Sequence, residues 1–253
     1  GYEHDLRDEV ALGKENRHYR LDNYSNRNGE IYPTHELGPI AKLLNIHKGN
    51  RLVSLTSMAS KAVGLHSWIA AHKSDDADLM GRAFTQGDVV TTMIKCAHGE
   101  TILLIHDTPL PRPYSRGLRI QGTKGAWMED NHSLYIEGVS EPHTWEPTDK
   151  YRETYEHPLW KDYQAKGVRG GHDGMDYLVF RAFVESVKNG TGVPIDIYDA
   201  AAWMAVTCLS EESIALGGAP VAIPDFTGGR WIHGVNSYTG PYDLQAIPDI
   251  PGV

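Results

Sequence analysis

The fold class is indicated by the stretch VVTTMIKCAHGETILLIHDT, residues 89–108. Its two halves, 89–97 and 101–108, are apolar and rich in β-branched residues, and the short connection between them contains Gly99. Two such runs joined by a short glycine-containing connection predict a β-hairpin.

Further strand patterns flank this hairpin. Alternating apolar residues predict a strand over 51–60, and three short segments bounded by glycine or asparagine predict an antiparallel meander over 118–122, 125–129 and 133–137. We therefore expect one open sheet built from 51–60 and the strands between 89 and 137. An antiparallel sheet of this kind can leave one face uncovered by its own helices.

Helical patterns lie before and after the strands. Apolar residues at helical spacing predict helices over 34–45, 173–189 and 196–216, with Thr34 and Asp173 as N-caps of the first two. Strands in one block with helices on both sides of it in the sequence predict an α+β fold. We expect an open, mostly antiparallel sheet with helices on one face.

The two ends of the chain look irregular. Residues 1–33 are polar, a composition typical of surface loops, and residues 220–253 contain proline and glycine throughout, which predicts an extended tail. No internal repeat divides the sequence, so we interpret residues 1–253 as a single domain.

Composition excludes several classes of function. Lys and Arg number 24 against 33 Asp and Glu, which gives a net charge of −9 and argues against a nucleic-acid partner. The longest apolar runs, such as 200–206, fall far short of the roughly 20 residues that a membrane span needs. The two cysteines, Cys96 and Cys208, are too few for a disulfide framework or a four-cysteine zinc site, and we expect both to be buried free thiols.

The aromatic residues are unusual in kind. Tyr (13) and Trp (6) outnumber Phe (4). Side chains with an apolar body and a polar tip suit a polar ring-shaped ligand such as a sugar. Amphipathic tyrosines at the surface or at an interface are the alternative interpretation.

Common cofactor and metal motifs are missing. No G-x-G-x-x-G stands between a predicted strand and a predicted helix, so we expect no dinucleotide-binding fold in this chain. The nearest pattern, residues 167–174, follows a polar helix and is typical of a plain loop. His4, His18, His66 and His72 show no ligand spacing, and we predict no metal site.

Three segments contain candidate functional side chains. Tyr32-Pro33-Thr34-His35 opens a predicted helix, where free N–H groups favour an anion and histidine can transfer a proton. The alternative is a histidine bonded to a neighbouring loop and a tyrosine packed on the helix. Arg20 and Tyr114, in two polar or proline-rich loops, are either ligand contacts or ordinary surface residues.

Four segments resemble glycoside hydrolase family 109, which comprises NAD-dependent α-N-acetylgalactosaminidases within the Gfo/Idh/MocA oxidoreductase superfamily. They are Tyr2–Arg7, His18–Arg20, Gly29–Pro39 and Gly171–Asp176. The resemblance runs from residue 1 to about residue 235. Its most specific part is Tyr32 to His35, because the wider superfamily usually shows Asp-Gly-His where this helix begins.

The resemblance implies an architecture and a reaction. Family members have an N-terminal Rossmann domain that binds NAD and a second, α+β domain, and this chain resembles the second domain alone. Bound NAD⁺ oxidises the sugar C3 hydroxyl, a base removes the acidified C2 proton, the C1 substituent is eliminated, water adds, and NADH returns the hydride. The resemblance also implies an exported or periplasmic bacterial protein.

The resemblance assigns roles to individual residues. It implies that His35 and Tyr2 are the acid and base near C3 and C2. Residues implied to contact the sugar are Arg20, Tyr32, Pro33, Thr34, His35 and Tyr114. His172 is a possible further contact, although His172-Asp173-Gly174 departs from the expected His-Gly-Gly.

Two alternatives of other classes stay open. One is a sugar dehydrogenase or oxidoreductase of the same superfamily, and the other is a non-catalytic sugar-binding or dimerising domain. In each case we expect a homo-oligomer formed through the open face of the sheet.

Overall fold

The computed structural model describes residues 1–13, 19–235 and 238–246. Its helices are α1 (Arg7–Leu12), α2 (Tyr19–Asn26), α3 (Pro33–Leu43), α4 (Gly64–His72), α5 (Ala77–Gly81), α6 (Asp149–Tyr155), α7 (Pro158–Ala165), α8 (Met175–Asn189) and α9 (Ile197–Ala215). Its strands are β1 (Tyr2–Glu3), β2 (Leu52–Ala59), β3 (Val89–Cys96), β4 (Thr101–Asp107), β5 (Arg119–Gly122), β6 (Gly125–Met128), β7 (Ser133–Ile136), β8 (Glu146–Pro147) and β9 (Val221–Ala222). Short 3₁₀ turns lie at His172–Gly174 and Arg230–Ile232.

The main sheet has five strands in the order β1-β4-β3-β2-β9. The predicted hairpin forms β3 and β4, with Met93 opposite Leu103, and β2 pairs antiparallel with β3. Only the β1–β4 pair is parallel among the pairs of this sheet. The predicted α+β fold with an open, mostly antiparallel sheet is confirmed.

Helices α3 and α9 cover one face of the main sheet. Ile94 and Leu104 point from the strands into a core that also contains Trp203 and Val206 of α9. α3 approaches α9 closely at Gly38, where an added Cβ would lie 3.3 Å from a ring carbon of Trp203. This core fixes the position of α3, whose first turn contributes to the site described below.

The opposite face of the main sheet carries exposed apolar side chains. Met93 and Leu103 alternate with the buried residues of their strands, so they point away from the helices. Both are more than half exposed, as is Met58 on β2. Among the described residues, no helix covers this face.

The predicted single sheet is in fact two sheets. β5, β6, β7 and β8 form a separate four-stranded antiparallel sheet. The outer edge of β4 is already occupied by β1, and Pro109, Pro111 and Pro113, which follow, lack the N–H groups that a further ladder would need. The chain instead turns back past β1, where Ser115 forms an isolated bridge with Glu3.

The prediction of a surface loop over residues 1–33 is wrong. This segment forms β1, α1 and α2, which pack on α4 and α5 around a second apolar core. Val10, Leu21, Tyr24 and Ile69 are almost completely buried there. A few apolar residues at helical spacing were enough to build two short helices within a polar segment.

Both predicted N-caps are wrong. α3 begins at Pro33 and its N-cap is Tyr32, because the fixed φ and missing N–H of proline suit the first helical position. Thr34 lies inside the first turn. The N-cap of α8 is Gly174, and Asp173 has a left-handed φ of 53° that excludes it from the helix.

The C-terminal third differs from expectation in three respects. β9, within the predicted extended tail, pairs with β2 at the sheet edge. Cys96 is buried as expected, but Cys208 is exposed on α9, so that part of the thiol prediction is wrong. Six large apolar side chains of α8 are exposed, namely Met175, Val179, Phe180, Phe183, Val184 and Val187.

Within the described residues, no helix combines the length and apolar character that crossing a bilayer requires.

Candidate functional site

β1 and the start of α3 bring three aromatic rings together. The centroid of the Tyr2 ring lies 4.4 Å from that of Tyr32 and 5.4 Å from that of His35, and the Tyr32 and His35 rings are 4.5 Å apart. We call Tyr2, Tyr32 and His35 the aromatic cluster. The resemblance named all three residues, and the structure brings them together.

Backbone contacts hold both parts of the cluster. Tyr2 lies in register with His106 of β4, and the backbone N–H of His4 donates to the carbonyl oxygen of Asp107 over 2.9 Å. On the other side, Pro33 opens α3 and is buried, so that Tyr32 and His35 flank the helix N-terminus. Free N–H groups at such an end favour developing negative charge.

Two guanidinium groups flank the aromatic cluster. The Cζ atom of Arg20, on α2, lies 5.7 Å from the centroid of the Tyr32 ring, and the side chain forms an ion pair with Glu9. The Cζ atom of Arg116 lies 5.8 Å from the centroid of the Tyr2 ring. A planar guanidinium can donate paired hydrogen bonds to neighbouring hydroxyl or carbonyl oxygens.

The proline-rich loop brings Tyr114 to the same place. Its ring centroid lies 5.1 Å from that of His4, and its hydroxyl accepts a hydrogen bond from Arg116. Arg112 anchors the loop through ion pairs with Glu3 and Asp107. Tyr114 is half exposed.

The surroundings of the aromatic cluster set its protonation. Burial, together with the positive charge of Arg116, lowers the pKa of His35, so its imidazole is neutral near pH 7 and can accept a proton. Burial raises the pKa of the Tyr2 phenol despite the two nearby guanidinium groups. Tyr2 is therefore a proton donor in the resting state.

His106 was not predicted from the sequence. This residue is buried on β4, its ring stacks on that of Tyr2 at 6.3 Å, and its Nδ1 atom has no hydrogen-bond partner among the described residues. Burial lowers the pKa of His106 to about 4. In the sequence, His106 looks like an ordinary inward-facing strand residue. Its position beside Tyr2 follows from the parallel pairing of β1 with β4, which only the folded chain shows.

The remaining predicted residues are placed as follows. Thr34 Oγ1 lies 3.4 Å from His35 Nδ1 at the helix start. His172 is exposed and paired with Asp176 at 2.9 Å, and its charge contributes to the lowered pKa of His35. His18, part of a resembling segment, lies outside the described residues.

One other group has the composition of a metal site. Ligand atoms of His47, Asp196 and Asp199 lie within 4.8 Å of one another. Asp199 already forms an ion pair with Lys42, and Asp196 caps α9 through the N–H groups of Tyr198 and Asp199. These partners occupy the carboxylates without a metal ion.

The described residues do not fit a dinucleotide. The main sheet contains a single parallel pair, β1–β4, and the glycine-rich stretch 167–174 follows helix α7 rather than a strand. A dinucleotide fold needs a glycine-rich turn between a strand and a helix. We therefore derive no step through NAD from the residues of this chain.

Comparison with known proteins identifies the family. A family model described as glycosyl hydrolase 109, C-terminal domain, matches residues 1–233. The chain belongs to this family. The family 109 resemblance of its motifs is thereby confirmed.

Curated relatives support the same family. The chain is 46% identical over 251 residues to an α-N-acetylgalactosaminidase of Tannerella forsythia, covering 92% of this chain and 54% of the relative. It is 46% identical over 249 residues to a glycosyl hydrolase family 109 protein of Stenotrophomonas maltophilia, covering 91% and 55% respectively. The chain thus spans about half the length of these family 109 relatives.

A solved structure shows the same fold at low identity. An oxidoreductase from Pseudomonas syringae is similar with a TM-score of 0.50 and 13% sequence identity, over 88% of this chain and 55% of that one. At this identity the likeness concerns the fold alone. The family 109 domain therefore has an oxidoreductase-like fold.

Proposed function

We propose that this chain is the substrate-binding half of a glycosidase that removes terminal α-N-acetylgalactosamine. The observation that carries this proposal is the convergence of Tyr2, Tyr32 and His35 between two guanidinium groups. Aromatic faces pack against the C–H groups of a sugar ring, and guanidinium groups bind its oxygens. The activity of a relative from Tannerella forsythia, named α-N-acetylgalactosaminidase, supports the choice of sugar.

We propose that binding uses both sides of the aromatic cluster. Arg20 bonds ring hydroxyls or the acetamido carbonyl, while Tyr32 and Tyr114 contact the sugar ring from α3 and from the proline-rich loop. The dipole of α3 and its free N–H groups stabilise negative charge that develops on an oxidised C3 oxygen. The His172 loop closes the rim.

Two members of the aromatic cluster transfer protons. Neutral His35 accepts a proton from the sugar, and the protonated phenol of Tyr2 donates one as the C1 substituent leaves or as the ring is reduced again. NAD, which the proposal assigns to the other half of the protein, supplies the hydride chemistry at C3. This chain therefore takes part in proton transfer at C2 and at the departing C1 substituent.

Isotope exchange at C2 tests the proposed mechanism. The full-length protein is given an aryl α-N-acetylgalactosaminide in D₂O, and the released sugar is examined by NMR. We expect deuterium at C2, because the proton that a base removes is replaced from solvent. Release of the sugar with hydrogen fully retained at C2 would contradict the mechanism.

The oxidoreductase-like fold is also compatible with a second function. A sugar dehydrogenase of the same superfamily would leave the glycosidic bond intact and accumulate NADH. Following released aglycone and NADH absorbance in one reaction separates the two, since the glycosidase releases aglycone without net NADH.

We also propose that the protein is a homo-oligomer through the main sheet. Met58, Met93 and Leu103 form an exposed apolar patch on the face opposite α3 and α9. Apolar patches of this kind are stabilised by association, and a second copy presents the same patch.

A further inference from the structure

Two carboxyl groups lie buried directly beneath the aromatic cluster. Glu30 precedes Tyr32 by two residues, and Glu36 follows His35. Glu30 is 0% exposed and Glu36 is 4% exposed. Burying an ionised carboxylate is costly unless it is paired, so two of them side by side need an explanation.

Each carboxyl group is bonded to a backbone that carries a site residue. Glu30 Oε1 accepts the backbone N–H of Tyr32 at 3.1 Å. Glu36 Oε2 accepts the backbone N–H of Ile105 at 3.0 Å, one residue before His106 on β4. The two side chains thus connect the start of α3 with the strand that pairs with Tyr2.

The remaining oxygen of each carboxyl group indicates that the two groups share a proton. Glu30 Oε2 and Glu36 Oε1 are buried and have no other hydrogen-bond partner among the described residues. The two groups act directly on each other: burial raises the pKa of Glu30 to about 7, and burial and the neighbouring Glu30 carboxylate raise the pKa of Glu36 to about 9. One proton between these oxygens satisfies both and leaves a single charge.

Two other titratable groups lie near the pair of carboxyl groups. The hydroxyl-bearing ring of Tyr24, on α2, stays neutral because burial raises its pKa. The nitrogen of Gly1 forms an ion pair with Glu36 Oε2 at 3.8 Å and lowers the pKa of both carboxyl groups, but burial outweighs this effect and both pKa values stay raised.

We propose that Glu30 and Glu36 share one proton and act as positioning residues that hold Tyr32 and His35 against β4. The positioning role rests on the function proposed above, whereas the shared proton does not. Loss of that proton places two negative charges together under α3 and displaces its first turn.

Infrared spectroscopy and thermal unfolding of the full-length protein test the shared proton. At pH 8 we expect the carbonyl band of a protonated carboxylic acid, strongly weakened in Glu36→Gln because the remaining Glu30 carboxyl has a pKa of about 7, and retained in the control Glu212→Gln, which changes an exposed residue of α9. A proton held only in the folded state favours folding at low pH, and this contribution is lost as pH rises from about 4.5 to about 9. The melting temperature of the wild type should therefore fall more steeply over that range than that of Glu36→Gln.

An infrared band unchanged by Glu36→Gln would overturn the shared proton. Should Glu36→Gln not fold, Glu30→Gln serves the same comparison, because an amide at either position removes one titrating group. If neither variant folds, loss of the wild-type acid band on titration to about pH 9 is expected, and a band that stays constant overturns the proposal.

Kinetics test the positioning role separately. We expect the wild-type kcat to fall at alkaline pH as the pair loses its proton, and this fall to be absent in Glu36→Gln. An identical alkaline profile in both proteins overturns the positioning role. Absence of glycosidase activity in the wild type at every pH refutes the proposed function instead, while the infrared result stands on its own.

Discussion

Arg116 donates a hydrogen bond to the backbone carbonyl oxygen of His35 over 3.2 Å, although 81 positions separate the two residues in the sequence. The same guanidinium bonds the hydroxyl of Tyr114 and lies over the ring of Tyr2. Arg116 therefore ties the proline-rich loop to the start of α3. Its charge also reaches the imidazole of His35 and lowers the pKa of that group.

Replacing Arg116 should change the pH dependence of catalysis. In the full-length protein Arg116→Gln removes a cation that disfavours protonated His35, so the pKa of His35 rises and the acid limb of kcat/KM moves to higher pH. The part of the lowering caused by burial remains. The measurement is the pH profile of kcat/KM, with Arg119→Gln, at an exposed position on β5, as the control. An acid limb that moves equally in both variants, or in neither, contradicts the role of Arg116.

Replacing Asp173 by glycine should stabilise the His172 loop. Asp173 has φ 53°, a left-handed conformation that costs an L-residue about 1 kcal/mol or more and that glycine adopts freely. Asp173→Gly also gives the His-Gly-Gly sequence that the resemblance led us to expect. Thermal unfolding of the full-length protein should show a higher melting temperature, equivalent to a gain in the free energy of unfolding of up to about 1 kcal/mol.

The matched control is Asp75→Gly, at an exposed turn residue outside the left-handed region. There glycine only adds freedom to the unfolded chain and should lower the melting temperature slightly. Equal shifts in the two variants would show that the conformation of Asp173 is not the cause.

The isolated chain should not hydrolyse a glycoside, even with NAD⁺ added. Its described residues form no dinucleotide site, and the chain covers about half of its relatives. Release of aglycone from an aryl α-N-acetylgalactosaminide is the assay, with the full-length protein as the positive control. Robust turnover by the isolated chain would refute the division of labour between the two halves.

A charge on the open face of the main sheet should dissociate the oligomer. Leu103→Lys places a charge in the exposed apolar patch, so sedimentation velocity should show monomers where the wild type forms oligomers. Val139→Lys, at an exposed position outside the main sheet, is the control and should leave the assembly unchanged. A wild type that stays monomeric at high concentration contradicts the proposed assembly.

The strands were predictable because their patterns are local. Alternation of apolar residues and one glycine-containing connection predicted β2, β3 and β4 to within about a residue or two. The division into two sheets was not predictable, because it depends on β1 occupying the edge of β4, a contact between segments about 100 positions apart. The polar composition of residues 1–33 likewise conceals two helices whose few apolar residues, such as Leu21 and Tyr24, find partners only in the folded chain.

The site was predictable where its motif is contiguous. Tyr32 and His35 lie in one short segment, and the resemblance added Tyr2, Arg20 and Tyr114. His106, Arg116 and the two buried carboxyl groups were missed, because in the sequence they look like an inward strand residue, a loop cation and two ordinary acids. Only burial and pairing with distant segments set them apart.

The turnover of His35→Ala in the full-length protein tests the central claim most directly. Rate and melting temperature are measured on the same preparation, so that kcat is expressed per folded molecule. Loss of a positioned acid–base group lowers the rate by about 10²–10⁴-fold, and we predict a loss in this range with NAD binding retained. A kcat close to that of the wild type, with a lowered melting temperature, would show that His35 is a structural residue and would contradict the proposed site.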